Sequence, residues 1–162
     1  MTADTTTTTT QDGFVASTTL VESLQQVLVN LLAVQLEGKN AHWNVTGSGF
    51  RSVHLLLDEV VDVAREHADT VAERLRALHA TPDGRPRTVA AGNTLTEQAP
   101  GEQRVPAVLT GVATLLTETV EHIRSVHDAV DEEDPTTADL LHEVIHDLEE
   151  KAWMLRSENE DR

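Results

Sequence analysis

Four stretches of the chain repeat apolar residues at spacings of three and four, with polar intervals between them. Leu20, Leu24, Val27, Leu31 and Val34 share one helical stripe, which predicts a first helix over about residues 18–43. Thr19-Leu-Val-Glu22 has the form of a capping box at its start. The turn-forming run Asn44-Val-Thr-Gly-Ser-Gly49 ends that helix, and Ser52 is the expected N-cap of a second, which closes near His79 before Thr81-Pro-Asp-Gly84. Val108, Val112, Leu115, Leu116, Ile123, Val126 and Val130 mark a third helix over about 104–131, with Pro106 in its first turn. Leu141, Val144, Ile145, Leu148, Ala152 and Leu155 mark a fourth, starting near Asp134 or Thr136 with Pro135 suited to its first position.

Between the second and third helices, residues 80–103 contain Gly84, Gly92, Gly101, Pro82, Pro86 and Pro100. A connection of that length suits a crossover that returns the chain along a bundle, with a short helix expected around Leu95–Gln98. The fold class predicted is all-α, a four-helix bundle with a long connection between helices 2 and 3. The third helix ends on Asp131-Glu-Glu-Asp134, the wrong charge for a helix C-terminus, so these carboxylates are expected to serve some other interaction. Residues 1–16 are dominated by threonine and lack periodicity, so they read as a flexible tail ahead of a domain over 17–162.

Charge sharpens this picture. With 12 basic and 28 acidic residues among 162, the formal net charge is −16. Such a balance repels nucleic acid and anionic membranes and attracts cations. No Lys or Arg precedes Lys39, and Ser157-Glu-Asn-Glu-Asp-Arg162 is net acidic, so direct DNA binding is not expected at neutral pH. There is no cysteine, which excludes disulfides and thiol chemistry. The N-terminus lacks the features of an export signal and no segment reads as a transmembrane helix, so a soluble cytoplasmic protein is the expectation.

The candidate chemistry lies between residues 42 and 73. His54 and Asp58 are four apart, as are Asp69 and Glu73, so each pair stacks on one helix face. Asp58 and Asp69 are eleven residues apart, about 16 Å along a helix, so one chain cannot close a metal site with both pairs. A second copy, antiparallel across a twofold axis near Val63–Ala64, brings His54 and Asp58 of one chain opposite Asp69 and Glu73 of the other and generates two equivalent sites. With His42, twelve residues before His54, the candidate ligands are two imidazoles and three carboxylates, a set that suits iron, with zinc or manganese as other possible occupants.

His42-Trp43, His54, Asp58, Asp69 and Glu73 at these spacings resemble the signature of the Dps family, ferritin-like mini-ferritins named as DNA-binding proteins from starved cells. The resemblance runs over about residues 17–157 and implies a ferritin-like bundle. It also implies that His42, His54 and Asp58 come from one subunit and Asp69 and Glu73 from its twofold mate. A ferroxidase is implied that binds Fe(II), oxidises it preferentially with hydrogen peroxide, and stores ferric mineral in a hollow homododecamer, protecting against oxidative damage. Trp43, beside a ligand, is read first as a buried aromatic anchoring the helix end and second as a trap for stray oxidising equivalents. Asp134 and Asp139 match, in part, the acidic residues that the family places at threefold pores, with helix capping as the other reading for this region. Glu59, Asp62 and Glu66 are either cavity-facing nucleation groups or a solvated helix face.

Two alternatives belong to other classes. The family name raises a DNA-compacting structural protein, which the charge distribution opposes. His142-Glu143-Val144-Ile145-His146 matches the HExxH pattern of zinc metalloproteases, but no third histidine follows, and little chain remains to build a substrate cleft. His142 and His146 are read instead as solvated or accessory metal-binding histidines. His67, His79, His122 and His127 carry no pattern that lifts them above surface or packing residues.

Overall fold

The computed structural model describes residues 13–160; most of the threonine-rich segment, residues 1–12, and the last two residues lie outside the described residues. Helix α1 (Thr18–Asn44) and helix α2 (Phe50–Ala77) pack as one pair, and α4 (Val105–Glu133) and α5 (Pro135–Asn159) as another. Contacts of α1 with α4 and of α2 with α5 close the bundle. The apolar stripes predicted from the sequence converge at its centre, where Leu24, Leu31, Leu57, Leu116, Ile123, Leu141 and Leu148 are almost fully buried. Truncating one such leucine to alanine costs about 3 kcal/mol, so several of these side chains together outweigh any single surface contact. At Gly38 an added Cβ would lie 3.1 Å from Val61 Cγ2, so the missing side chain lets α1 and α2 approach closely.

The caps differ from the sequence-based expectation, and the reasons are tertiary. The N-cap of α1 is Ser17, not Thr19: its Oγ accepts from Leu20 N–H at 3.1 Å. Glu133, at the far end of α4, locks that cap by accepting from Ser17 N–H and Ser17 Oγ–H, both at 2.6 Å. Part of the acidic run at the end of α4 therefore serves the N-terminus of another helix, where negative charge is favourable. Likewise α2 begins at Gly49 rather than Ser52, because Gly49 adopts φ 78°, a left-handed conformation that glycine accepts without strain. Ser52 Oγ instead donates to Gly49 O and to Glu158, both at 2.9 Å.

The long connection also holds its helix elsewhere. Helix α3 spans Pro86–Gly92, ahead of the 95–98 segment expected to be helical. Pro86 is preset for a first turn, and Asp83 organises the entry by accepting from Arg85 N–H at 3.1 Å, the Arg85 guanidinium and Thr88 Oγ1. Farther on, the fully buried Asn30 of α1 takes Thr94: Asn30 Oδ1 accepts from Thr94 N–H at 3.1 Å, and Asn30 Nδ2 donates to Thr94 Oγ1 at 3.0 Å. That backbone is engaged by a side chain, which replaces helical hydrogen bonding. The connection finishes in a two-residue strand, β2 (Gln103–Arg104), parallel to β1 (Val45–Thr46), which ties the exit of α1 to the entry of α4.

Among the described residues, α1 is long and apolar enough to cross a membrane by length and composition alone. Half of its most apolar stretch is buried inside the bundle, and the buried Asn30 is hydrogen-bonded to Thr94, so this composition is that of a core helix.

Candidate metal centre

The turn between α1 and α2 assembles the first half of the candidate centre. Val45 N–H closes α1 on Ala41 O, Gly47 takes φ 116° and Gly49 φ 78°, and the chain reverses within five residues. His42, in the last turn of α1, and His54, early in α2, are thereby stacked, with ring centroids 3.6 Å apart and 22° between planes. The Nδ1 of each ring faces the backbone carbonyl of the other residue, at 2.8 Å for His42 to His54 O and 2.9 Å for His54 to His42 O. A carbonyl only accepts, so each Nδ1 carries the proton, and in the neutral imidazoles both Nε2 atoms keep a lone pair. Reciprocal anchoring of this kind fixes ring orientation and is how a protein prepares imidazoles to bind a metal ion. Phe50 leans on His54 with ring centroids 5.0 Å apart.

Asp58 stands one turn beyond His54 and joins the pair, its Oδ1 lying 3.2 Å from His42 Nδ1. The same oxygen accepts from Lys39 Nζ at 2.5 Å. That bond holds the Asp58 carboxyl below the usual carboxylate range, against a partial desolvation that pulls upward, with His42, the Lys39 charge and His54 adding to the lowering. Lys39 was not singled out from the sequence as a site residue. Its position three residues before His42 on the same helix face is the signal that points to it.

Asp69 and Glu73 are exposed on α2, near its other end. Asp69 borders an open groove lined by Leu28, Leu32, Ala68 and Ala72. Within one chain they do not meet the histidines, as the helix geometry required. Among the described residues, no three His or carboxylate side chains converge to hold an ion in the single chain. The structure thus gathers His42, His54 and Asp58 and leaves Asp69 and Glu73 about three turns away along α2.

Other sequence readings change. Trp43 is 70% exposed in the single chain, so it is not a buried anchor there. The polypeptide turns His42 inward, and the next side chain of the helix points away. Asp134 is buried and accepts from Arg74 Nη2 and Thr137 Oγ1, both at 2.5 Å, so it is not an open pore carboxylate in this chain. Burial alone would raise its pKa, but the Thr137 and Arg74 contacts outweigh this and the net shift is downward. Asp139 is exposed. Glu59, Asp62 and Glu66 are exposed along α2, with Glu59 paired to Lys151 at 3.0 Å and Asp62 to Arg65 at 3.0 Å. His67 is buried and paired through Nε2 with Asp147 Oδ2 at 2.8 Å, a packing role that bridges α2 and α5. In the HExxH segment His142, Glu143 and His146 are all exposed.

The profile of the ferritin-like domain matches residues 21–161. Over 138 residues the chain is 39% identical to DNA protection during starvation protein 2 of Deinococcus radiodurans, covering 85% of this chain and 57% of that longer protein. It is also 30% identical to DNA protection during starvation protein of Agrobacterium fabrum, covering 91% of both chains. The chain belongs to the ferritin-like Dps family. The structure of Dps from Microbacterium arborescens in the high iron form superposes with a TM-score of 0.82 at 29% identity, covering 90% of this chain and 98% of that one. This agrees with the bundle derived above, in which a long connection separates two helical pairs. In Dps terms, the stretch that carries His42, His54, Asp58, Asp69 and Glu73 falls inside the matched region.

Proposed function

We propose that this chain is a ferroxidase and iron-storage mini-ferritin. It oxidises Fe(II), preferentially with hydrogen peroxide, and keeps the ferric product in a hollow homododecamer in the cytoplasm, protecting against oxidative damage. The observation that carries this reading is the reciprocal anchoring of His42 and His54, which leaves each imidazole Nε2 a lone-pair donor, with Asp58 Oδ1 3.2 Å from the His42 ring at Nδ1. Fe(II) is the substrate. His42, His54 and Asp58 bind it on one side, and Asp69 and Glu73 of a second copy complete the ligand set across a twofold axis. Iron entering here displaces Lys39 from Asp58, exchanging one cation for another without leaving the carboxylate unpaired. Carboxylates favour the ferric product over the ferrous substrate, which pulls the oxidation forward. Each peroxide takes one electron from each of two Fe(II) ions and two protons from solution, its O–O bond breaks, and two waters leave, the protons being returned as the Fe(III) product hydrolyses to mineral; because the electrons pass as a pair, no hydroxyl radical is released. Trp43, exposed beside His42, is positioned to intercept stray oxidising equivalents.

DNA compaction is disfavoured by the net charge of −16 and by the absence of any basic residue before Lys39. The test is anaerobic Fe(II) titration of the assembled particle followed by peroxide. Saturable Fe(II) binding is expected, then rapid oxidation consuming one peroxide for each pair of ions without hydroxyl radical trapped in solution. Oxidation no faster than that of free iron, or stoichiometric radical release, would overturn the proposal.

A further inference from the structure

Away from that centre, α4 carries His122 and His127, and α5 carries His142 and His146. The rings of His127 and His142 are stacked, with centroids 4.3 Å apart and 28° between planes. Like His42 and His54, these two rings stack across two helices, here α4 and α5. The His127 side chain is only 17% exposed, whereas that of His142 is 61% exposed. The Nε2 of His127 is closed off from solvent and has no hydrogen-bond partner among the described residues. A buried ring nitrogen without a partner is unfavourable and calls for an explanation.

Two carboxylates border the pair. Asp139 Oδ1 lies 3.8 Å from His142 Nδ1, and Asp128 Oδ1 lies 3.8 Å from His127 Nδ1. At that separation neither contact is a hydrogen bond, yet one cation with bonds of about 2.0–2.2 Å can reach both atoms of either pair. His146 stands one turn beyond His142 on the same face of α5. In the HExxH segment, then, His142 has found its nearest imidazole on α4.

We propose that His127 and His142, joined by Asp139, bind a divalent transition-metal ion of the Zn²⁺ class and so staple α4 to α5, at a site separate from the His42–His54 centre. The donor set of two imidazoles and a carboxylate is a borderline one that holds Zn²⁺ more tightly than Fe²⁺, so the staple remains when ferrous iron passes by. His127 is the rigid ligand, fixed by burial. Asp139, with 87% of its side chain exposed, is free to swing inward, and this rotation is needed because no three such side chains already converge among the described residues. The surrounding excess of carboxylates draws cations toward it.

The experiment uses the full chain as its assembled particle, with His54→Ala and Asp58→Ala introduced to take one imidazole and one carboxylate out of the other candidate centre. Zn²⁺ is titrated calorimetrically at neutral pH, and the loaded protein is read by zinc X-ray absorption. One ion per chain, with imidazole scattering from two rings, is expected. His127→Asn and His142→Asn should each weaken binding by about tenfold or more, while Glu143→Gln leaves it unchanged. Particle size and helicity are measured for each variant; if His127→Asn does not assemble, the exposed His142 decides alone. No Zn²⁺ uptake in the His54→Ala, Asp58→Ala background, or binding that survives His142→Asn, overturns the proposal. Binding lost with His146→Asn but retained with His127→Asn overturns it too, because α5 would then hold the ion by itself.

Discussion

The separation of the two halves of the centre on α2 can be turned into a count. His54 and Asp58 lie near the start of α2 and Asp69 and Glu73 near its end, with Asp58 and Asp69 about 16 Å apart along the axis. If a site takes His54 from one chain and Glu73 from the other, His54→Ala inactivates both sites of a homodimer, and Glu73→Ala does the same. In a mixed dimer one site loses both residues, while the other receives His54 from one chain and Glu73 from its mate, both intact. With random pairing from equal amounts, half the dimers are mixed and half their sites are native, so about a quarter of wild-type activity should return. The two variants are unfolded and reassembled together, co-assembly is established by native mass spectrometry, and peroxide-driven Fe(II) oxidation is compared with each variant alone. Both substitutions are on exposed or half-buried positions, so neither should prevent folding. Mixed particles with activity no higher than the separate variants would refute the reasoning: His54 and Glu73 would then not meet between chains.

Lys39→Met removes the cation that competes for Asp58; anaerobic Fe(II) titration at neutral pH should show tighter binding, and the acid limb of Fe(II) binding should move to higher pH because Asp58 loses the bond that keeps it ionised. Arg74→Met leaves the buried Asp134 carboxylate without its ion-pair partner and should cost on the order of 2 kcal/mol in urea unfolding of the disassembled chain at neutral pH. Since the folded pKa of Asp134 lies below its unfolded value, this contribution is present above about pH 4 and is lost as pH falls through the folded pKa; the gap between wild type and variant should therefore close in acid. Ser17→Ala removes the N-cap of α1 and should cost about 1 kcal/mol, seen as faster hydrogen exchange confined to the first turn, whereas equal exchange in both proteins would show that Glu133 caps the helix without it. DNA should show no mobility shift with this protein at physiological salt, and a tight shift abolished by deleting residues 1–16 would overturn the charge argument.

Helix periodicity is local information, and it was legible: the stripes led by Leu20, Val108 and Leu141 became the buried faces of α1, α4 and α5. The spacing of His54, Asp58, Asp69 and Glu73 was legible for the same reason, because all four ride on one uninterrupted helix whose rise per residue is constant. Their separation on a single chain follows from that spacing before any tertiary structure is considered. Contacts between residues distant in sequence were not legible, since no periodic pattern encodes which chain segment passes alongside another. The cap of α1 depends on Glu133, the path of Thr94 on Asn30, and the inward turn of Asp134 on Arg74. The stacking of His42 on His54, with each Nδ1 tied to the other's carbonyl, required the reversal through Gly47 and Gly49, and the pairing of Lys39 with Asp58 required the packing of α1 on α2. The amino-acid sequence by itself determined which residues share a helix face; only the tertiary structure decided which faces meet, because that choice is made by close packing and by the need of buried polar atoms for partners.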